Sequence, residues 1–295
     1  MKSDLKKRLL SRWPIYVHSW GGLGSQLFAC IVARRLISRF PERRVVLIFH
    51  SSGVTYRGVE LNSKISSSFT YEFHDDYNPY GNSDNSSSDK SHVFFLRSVI
   101  LRLLIKSGFI ARLNKEADFD SLTPFLKEVR GHYTGIHIRL EELHWILDSM
   151  NLPNVQKTKF NGSYTAMHLR LGDLLVLKSK SHVDINQLIQ SKKFFSDSKR
   201  LLVYSDSEPK EVLRILENGF EDFDMEILHL DTLGVIASCL YAHVFIGTNS
   251  KISLWIATLR LAFGYGSSTV LPRDLAMQVK HLITSIDYTQ ALLEY

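Results

Sequence analysis

Four residues near the start of the chain, Gly21-Gly22-Leu23-Gly24, decide much of what it can become. A short β-prone run, Ile15 to His18, leads into them. From Gln26 to Phe40, apolar residues recur at helical spacing (Leu27, Ile31, Leu36, Ile37), and Pro41 stands where a helix commonly stops. Arg44 to His50 is then a nearly unbroken apolar run, typical of a strand buried on both faces of a parallel sheet. Strand, glycine turn, helix and strand form a βαβ unit, so the expected class is α/β.

A second alternation of the same kind begins at Tyr164. Strands are expected at Tyr164 to Leu169, Leu201 to Tyr204, Met225 to Leu228 and His243 to Ile246. Helices are expected from Val183, over Glu208 to Glu217, Leu233 to Ala242 and Ile252 to Leu261. The 295 residues suffice for two domains of about 150 each. The stretch Leu152 to Ser163, rich in Pro, Asn, Lys, Gln and Gly, reads as the linker. The expected division is 1–155 and 156–295, with the last helix able to return to the first domain. Two Rossmann-like domains facing across a cleft, with ligands at the carboxyl ends of the strands, is the economical architecture.

Three other segments bear on organisation. Gly81 to Ser91 is almost wholly Gly, Asn, Ser, Asp and Lys and reads as a surface loop. Val93 to Arg112 reads as a largely buried helix with one polar edge at Ser98, Arg102 and Lys106; a basic helix on a membrane surface is the other reading. The pattern Gly131, Tyr133, Thr134, His137, Arg139, Leu140 recurs 31 residues later as Gly162, Tyr164, Thr165, His168, Arg170, Leu171. One recurrence is no solenoid, and two strand-to-turn segments account for it.

Composition narrows the classes of function. Two cysteines, Cys30 and Cys239, lie far apart in apolar helical segments, which excludes a disulfide framework or a cysteine metal cage and points to a reducing compartment. No apolar run follows the cations Lys2, Lys6, Lys7, Arg8 and Arg12, so a secretory signal is not expected. Val93 to Arg112 is broken by Arg97, Arg102 and Lys106, so it does not read as a membrane span. A cytoplasmic protein is expected. The net charge of +6 suits a phosphate-bearing ligand, an anionic membrane or nucleic acid; no nucleic-acid module accompanies it, and no nucleic-acid partner is expected.

Four constellations can carry chemistry. The turn Gly21 to Gln26 is either a tight βα turn or a turn whose helix offers N–H groups to an anion; it is not the dinucleotide fingerprint. His168-Leu169-Arg170-Leu171-Gly172-Asp173 follows a strand, which places Arg170 where a guanidinium could stabilise a departing diphosphate. A structural Arg–Asp pair beside a core histidine is its plain alternative. Asn249, Ser250 and Ser253 surround a helix start and serve as an N-cap, a phosphate contact, or both. Ser205 and Asp206 end another strand, in an Asx turn or against a ribose or base.

Together and in this order, these segments resemble the bacterial α-1,2-fucosyltransferases of glycosyltransferase family 11. Gly21 to Phe28 matches the family's opening Gly-Gly-Leu-Gly-Asn-Gln segment except for Ser25. Gly131-His132-Tyr133 is similar to its mid-chain aromatic segment. His168, Arg170, Gly172 and Asp173 match its His-x-Arg-Arg-Gly-Asp signature, with Leu171 where a second Arg is usual. Tyr204 to Ser207 resembles its Ser-Asp strand end, and Asn249, Ser250, Ser253 and Trp255 its Asn-Ser-Ser-Phe-Ser-Trp segment.

The resemblance implies a GT-B-like fold and inverting transfer of L-fucose from GDP-fucose. No cofactor or metal is needed, since the GDP-sugar is a co-substrate. It implies a catalytic group of Arg170, His168 and Asp173, and donor contacts from Gly22, Gly24, Ser25, Gln26, Ser205, Asp206, Asn249, Ser250 and Ser253. The implied acceptor is a glycan or lipid-linked glycan for surface polysaccharide. In the lipid-linked case, N-terminal cations would touch the inner membrane, at about 1 kcal/mol each.

Other readings stand beside this one. The departures at Ser25 and Leu171 leave room for GDP-colitose or a non-GDP donor, or for a non-catalytic nucleotide-sugar-binding protein. A metal-dependent transferase would need an Asp-x-Asp, and Asp118-Phe119-Asp120 and Asp222-Phe223-Asp224 fit that string without following a convincing apolar strand. For the base that takes the acceptor proton, the candidates are His18, Glu72, Asp75, Asp76 and His132.

Overall fold

The computed structural model describes residues 13–52, 56–77, 99–153, 164–171, 185–195, 199–217, 219–284 and 291–295. The chain divides into two compact units, Met1–Ile136 and His137–Tyr295. Each is built on a sheet whose described pairings are all parallel. The α/β class with two Rossmann-like sheets is therefore as expected.

In the first unit, β1 (Ile15–Trp20) leads through the glycine turn into α1 (Leu23–Arg39) and back to β2 (Val45–His50). Leu23, Leu27, Phe28, Ile31, Val32 and Leu36 of α1 are buried, as are Val45 to Phe49 of β2. This is the double-sided cover a parallel strand requires. A short helix, α2 (Ser63–Ser66), precedes the edge strand β3 (Thr70–His74), whose residues are all exposed. Residues 99–106 form helix α3. Gly108, at φ +76°, then turns the chain into β4 (Ile110–Arg112), so the helix expected through Arg112 ends sooner. Last comes β5 (Glu128–Arg130), giving the strand order β3-β2-β1-β5-β4.

The second unit opens with α4 (Leu140–Met150), ahead of the segment read as the linker, of which 154–163 lie outside the described residues. Two contacts explain why the division falls there. The Ile138 N–H donates to Leu282 O at 2.7 Å, and His144 of α4 packs its ring 4.5 Å from that of Phe263. Residues 133–139 form no strand, so the recurrence noted above joins unlike structures.

The remaining elements are β6 (Thr165–Leu169), α5 (Ile185–Gln190), β7 (Arg200–Ser205), α6 (Pro209–Leu216), β8 (Asp224–Leu228) and α7 (Thr232–Tyr241). They continue through β9 (Val244–Gly247), α8 (Lys251–Phe263), β10 (Ser268–Leu271), α9 (Arg273–Leu282) and β11 (Ala291–Glu294). The sheet order is β11-β10-β9-β6-β7-β8. β6, β7 and β8 run outward on one side and β9, β10 and β11 on the other, the doubly wound order of dinucleotide-binding folds. The last helix, α9, packs within this unit on α8 and β11.

A buried cation ties the second unit together. Arg260 of α8 is fully enclosed and donates to the carbonyls of Cys239, Leu240, Ala242, His243 and Ser268 at 2.7–3.3 Å, and to Thr269 Oγ1 at 3.0 Å. It thus satisfies the orphan carbonyls at the end of α7. Burial pushes its pKa down to about 10, which still leaves it charged at neutral pH.

Candidate functional site

In a doubly wound sheet the ligand crevice lies at the carboxyl ends of the strands, where the strand order reverses. In the second sheet that point is between β6 and β9. The residues that follow them are Arg170 and Leu171 on one side, and Thr248, Asn249 and Ser250 on the other. The expected Arg170 and Ser250 are thereby brought to one place.

Thr248, which sequence reasoning missed, clasps the two strand ends. Its Oγ1 donates to His168 O at 2.9 Å and accepts the Arg170 N–H at 3.0 Å, while its own N–H donates to His168 O at 3.2 Å. On the other flank Asp206 Oδ1 accepts the Leu171 N–H at 2.9 Å. Arg170 therefore leaves the sheet from a turn fixed on both sides.

The α8 helix starts in this turn. Ser250 is its N-cap, accepting the Ser253 N–H at 3.0 Å. Gly247 lets the helix approach closely: a Cβ there would lie 2.7 Å from Leu271 Cδ2 and 2.9 Å from Ser253 Cβ. Ser253 is 0% exposed, and its Oγ is 2.8 Å from His168 Nδ1. Ser253 thereby orients the imidazole. Burial, opposed by Asp206 and reinforced by Arg170, pushes the His168 pKa down to about 4, so the ring is neutral at physiological pH.

The first turn of α8 holds no acid, and its first residue is Lys251. A cation there opposes the helix dipole, whose N-terminal end is positive. Burial, with the charge of Arg170 adding to it, pushes the Lys251 pKa down to about 8. Two cations and a helix N-terminus therefore converge where the fold places ligands, an arrangement that suits a bound anion. Sequence reasoning passed over Lys251, although its clash with the dipole was readable. Leu171 is 3% exposed and belongs to the core of the second sheet, so Lys251, not the neighbour of Arg170, is the second cation.

The other expected residues fall differently. Asn249 is exposed beside the N-cap. The Asp206 carboxylate braces Leu171 across the strands, and Ser205 Oγ accepts the Ser207 N–H at 3.2 Å, a local turn. Asp173 and Gly172 lie outside the described residues.

The glycine turn of the first unit, expected to contact phosphate, carries an anion of its own. The Leu23 N–H donates to Glu60 Oε2 at 3.1 Å, and a Cβ on Gly22 would lie 2.6 Å from Glu60 Oε1. Gln26 donates to Gly21 O and Gly58 O and accepts the Glu60 N–H. Gly24, Ser25 and Gln26 are buried. A phosphate approaching Gly22, Gly24, Ser25 or Gln26 would meet that carboxylate. These residues build a self-capped turn.

The carboxyl end of the first sheet carries instead a row of ionisable groups from three strands: His18, His50 and His74, with Glu72, Asp76, Glu128 and Arg130 around them. The two Asp-x-Asp strings have local roles. Asp118 Oδ2 accepts the N–H groups of Asn114 and Lys115, and Asp222-Phe223-Asp224 leads into β8. Among the described residues no group of His, Cys, Asp and Glu is arranged to hold a metal ion, and no helix is long and apolar enough to cross a membrane.

No family model matches the chain, and no curated protein matches it in sequence. Among solved structures it is similar to the Escherichia coli heptosyltransferase WaaC with ADP, at 13% identity and a TM-score of 0.45, over 95% of this chain and 93% of that one. It is similar also to the NodZ α-1,6-fucosyltransferase soaked with GDP-fucose, at 14% identity and a TM-score of 0.34, over 91% and 92%. A glycosyl transferase family 9 protein from Veillonella parvula is alike at 10% identity and a TM-score of 0.39, over 96% and 87%. Likeness at these values carries no assignment of activity.

Proposed function

We propose that the chain is a glycosyltransferase that takes a sugar from a nucleoside diphosphate donor and passes it, with inversion, to a glycan hydroxyl. One observation carries this reading: Arg170 and Lys251 stand together at the N-terminus of α8, on the switch point of the second sheet. Cleavage of a sugar–diphosphate bond leaves its electron pair on the diphosphate. Fixed cations stabilise that charge most in the transition state. The backbone N–H of Arg170 is held by the Thr248 clasp, and the neutral His168 is oriented by Ser253.

The ordered likeness to family 11 motifs names the finer proposal, L-fucose from GDP-fucose for a surface-polysaccharide acceptor, with GDP-colitose the nearest alternative donor. Lys251 in this reading supplies the charge that the family's second arginine would carry. Transfer by these cations needs no metal, so it should persist in EDTA.

Thermal shift with GDP-, UDP- and dTDP-sugars tests the proposal. A donor at about a hundred times its Kd stabilises by about 2.7 kcal/mol, a shift of roughly 5–10 °C for a domain of this size. GDP-sugars should produce it. No shift with any nucleoside diphosphate would overturn the reading.

A further inference from the structure

The stretch from Lys90 to Lys115 holds six cations, Lys90, Arg97, Arg102, Lys106, Arg112 and Lys115, and no aspartate or glutamate. Its described helix, α3, runs over residues 99–106. In sequence the segment reads as a largely buried helix with one polar edge, and the structure turns it the other way. Val99, Ile100, Leu103 and Leu104 are 37% to 60% exposed. Residues three and four apart share a helix face, so these four side chains form one outward apolar face. Leu101 and Ile105, four apart on the opposite side, are half-buried and seat the helix. Arg102 and Lys106, also four apart and exposed, line one flank of the apolar face.

The carboxyl end of this helix is firmly closed. It stops on Gly108, whose N–H donates to Ile105 O at 3.0 Å, while the Phe109 N–H donates to Leu104 O at 3.0 Å. Thr123 packs against the glycine: a Cβ at Gly108 would lie 2.5 Å from Thr123 Cγ2, and Thr123 Oγ1 donates to Gly108 O at 3.0 Å. Phe109 O accepts the N–H groups of Lys127 and Glu128, which ties the turn to β5. The first acid after the helix, Glu116, is already engaged, since Arg35 Nη1 donates to both its carboxylate oxygens at 2.8 and 3.0 Å. Single exposed aliphatic side chains need no explanation. Four on one face of a fixed helix mark a contact surface.

We propose that α3 is a membrane-docking helix that lies in the headgroup boundary of a bilayer carrying anionic lipid. Val99, Ile100, Leu103 and Leu104 enter the acyl boundary, and Arg102 and Lys106 meet lipid phosphates. An apolar face flanked by cations, with no acid near it in the chain, is what such a surface attracts. Residues 99–106 rise only about 12 Å, so the helix lies on the bilayer and does not span it. A second copy of the chain is a poorer occupant. Two such faces related by a twofold axis would set cation against cation, with no acid in the stretch to pair them. Docking by α3 involves the first unit alone and is independent of sugar transfer.

The test is co-sedimentation of the intact chain with vesicles of phosphatidylcholine, alone or with about a third phosphatidylglycerol. The chain should pellet with the anionic vesicles. High salt should weaken that binding without abolishing it, because the apolar contact is not screened. Leu103→Glu should weaken partition by more than about tenfold. Arg102→Gln and Lys106→Gln should each weaken it about fivefold, on anionic vesicles only. All three side chains are exposed, so the variants should melt at the temperature of the intact chain. In Leu103→Trp the introduced indole should shift its emission to the blue on anionic vesicles and be quenched by lipid brominated in the acyl chain. If Leu103→Glu pellets as well as the intact chain, the contact lies elsewhere and α3 is wrongly assigned. Equal partition onto both kinds of vesicle overturns the choice of anionic lipid. No pelleting with either overturns the proposal, as does self-association that Leu103→Glu abolishes, which would make the face a contact between copies.

Discussion

The helices that begin at Leu23 and at Lys251 each follow a parallel strand, yet their N-termini are opposite in charge. The first is closed by the chain's own carboxylate, Glu60, on the Leu23 N–H. The second carries Lys251 in its first turn, next to Arg170. A helix N-terminus favours an anion, so the first is a satisfied structure and the second a structure that gains by binding one. In sequence the glycine turn reads as a tight βα turn or an anion site, and in the structure its helix end is closed by a carboxylate of its own unit. Charge balance at the helix end, more than the glycines, separates a fold-building turn from a candidate ligand turn.

Removing a charge at either end, or at a buried site that is purely structural, should give distinguishable results. Arg170→Ala should lower turnover by roughly a hundredfold to a thousandfold, about 2.7–4 kcal/mol, with a much smaller loss in nucleotide affinity. Steady-state kinetics beside calorimetric titration measures both, and equal modest losses would contradict a transition-state role. Arg260→Met should do the reverse. It strands the carbonyls around the end of α7 and should cost at least about 3 kcal/mol of stability in urea unfolding. At a temperature where the variant is folded, nucleotide affinity should be unchanged.

Lys251→Met should weaken nucleotide binding about tenfold, near 1.4 kcal/mol, and alter its pH dependence. A bound anion favours the charged ammonium, whose free pKa is about 8. Affinity in the unmodified chain should therefore be full below pH 8 and fall as pH rises past it, whereas the variant should lack that fall. The smallest effect is expected from Glu60→Gln, about 1 kcal/mol of stability by thermal melting, since an amide oxygen still accepts the Leu23 N–H without the charge. A loss of nucleotide binding in that variant would place a ligand at the first turn after all.

The α/β class was legible because β2, β7 and β9 bury continuous apolar runs, and a run such as Val45 to Phe49 reads plainly. β3 was not, because all five of its residues are exposed and it has only one neighbour in the sheet. Nor were β4 and β5, which are three residues each and too short for a period to show. In the second unit, Arg170, His168 and Ser250 stand out from local pattern. Thr248 does not, since its partners follow another strand. Glu60, which closes the glycine turn, was hidden for the same reason: it is distant in sequence.

The most direct measurement is an amide and side-chain NMR titration of the intact chain with GDP. Shifts should appear at Arg170, Thr248, Ser250 and Lys251, with Leu23 and Gln26 undisturbed. GDP that perturbs the Leu23 turn and leaves Arg170 and Lys251 unmoved would show that the anion site had been assigned to the wrong sheet.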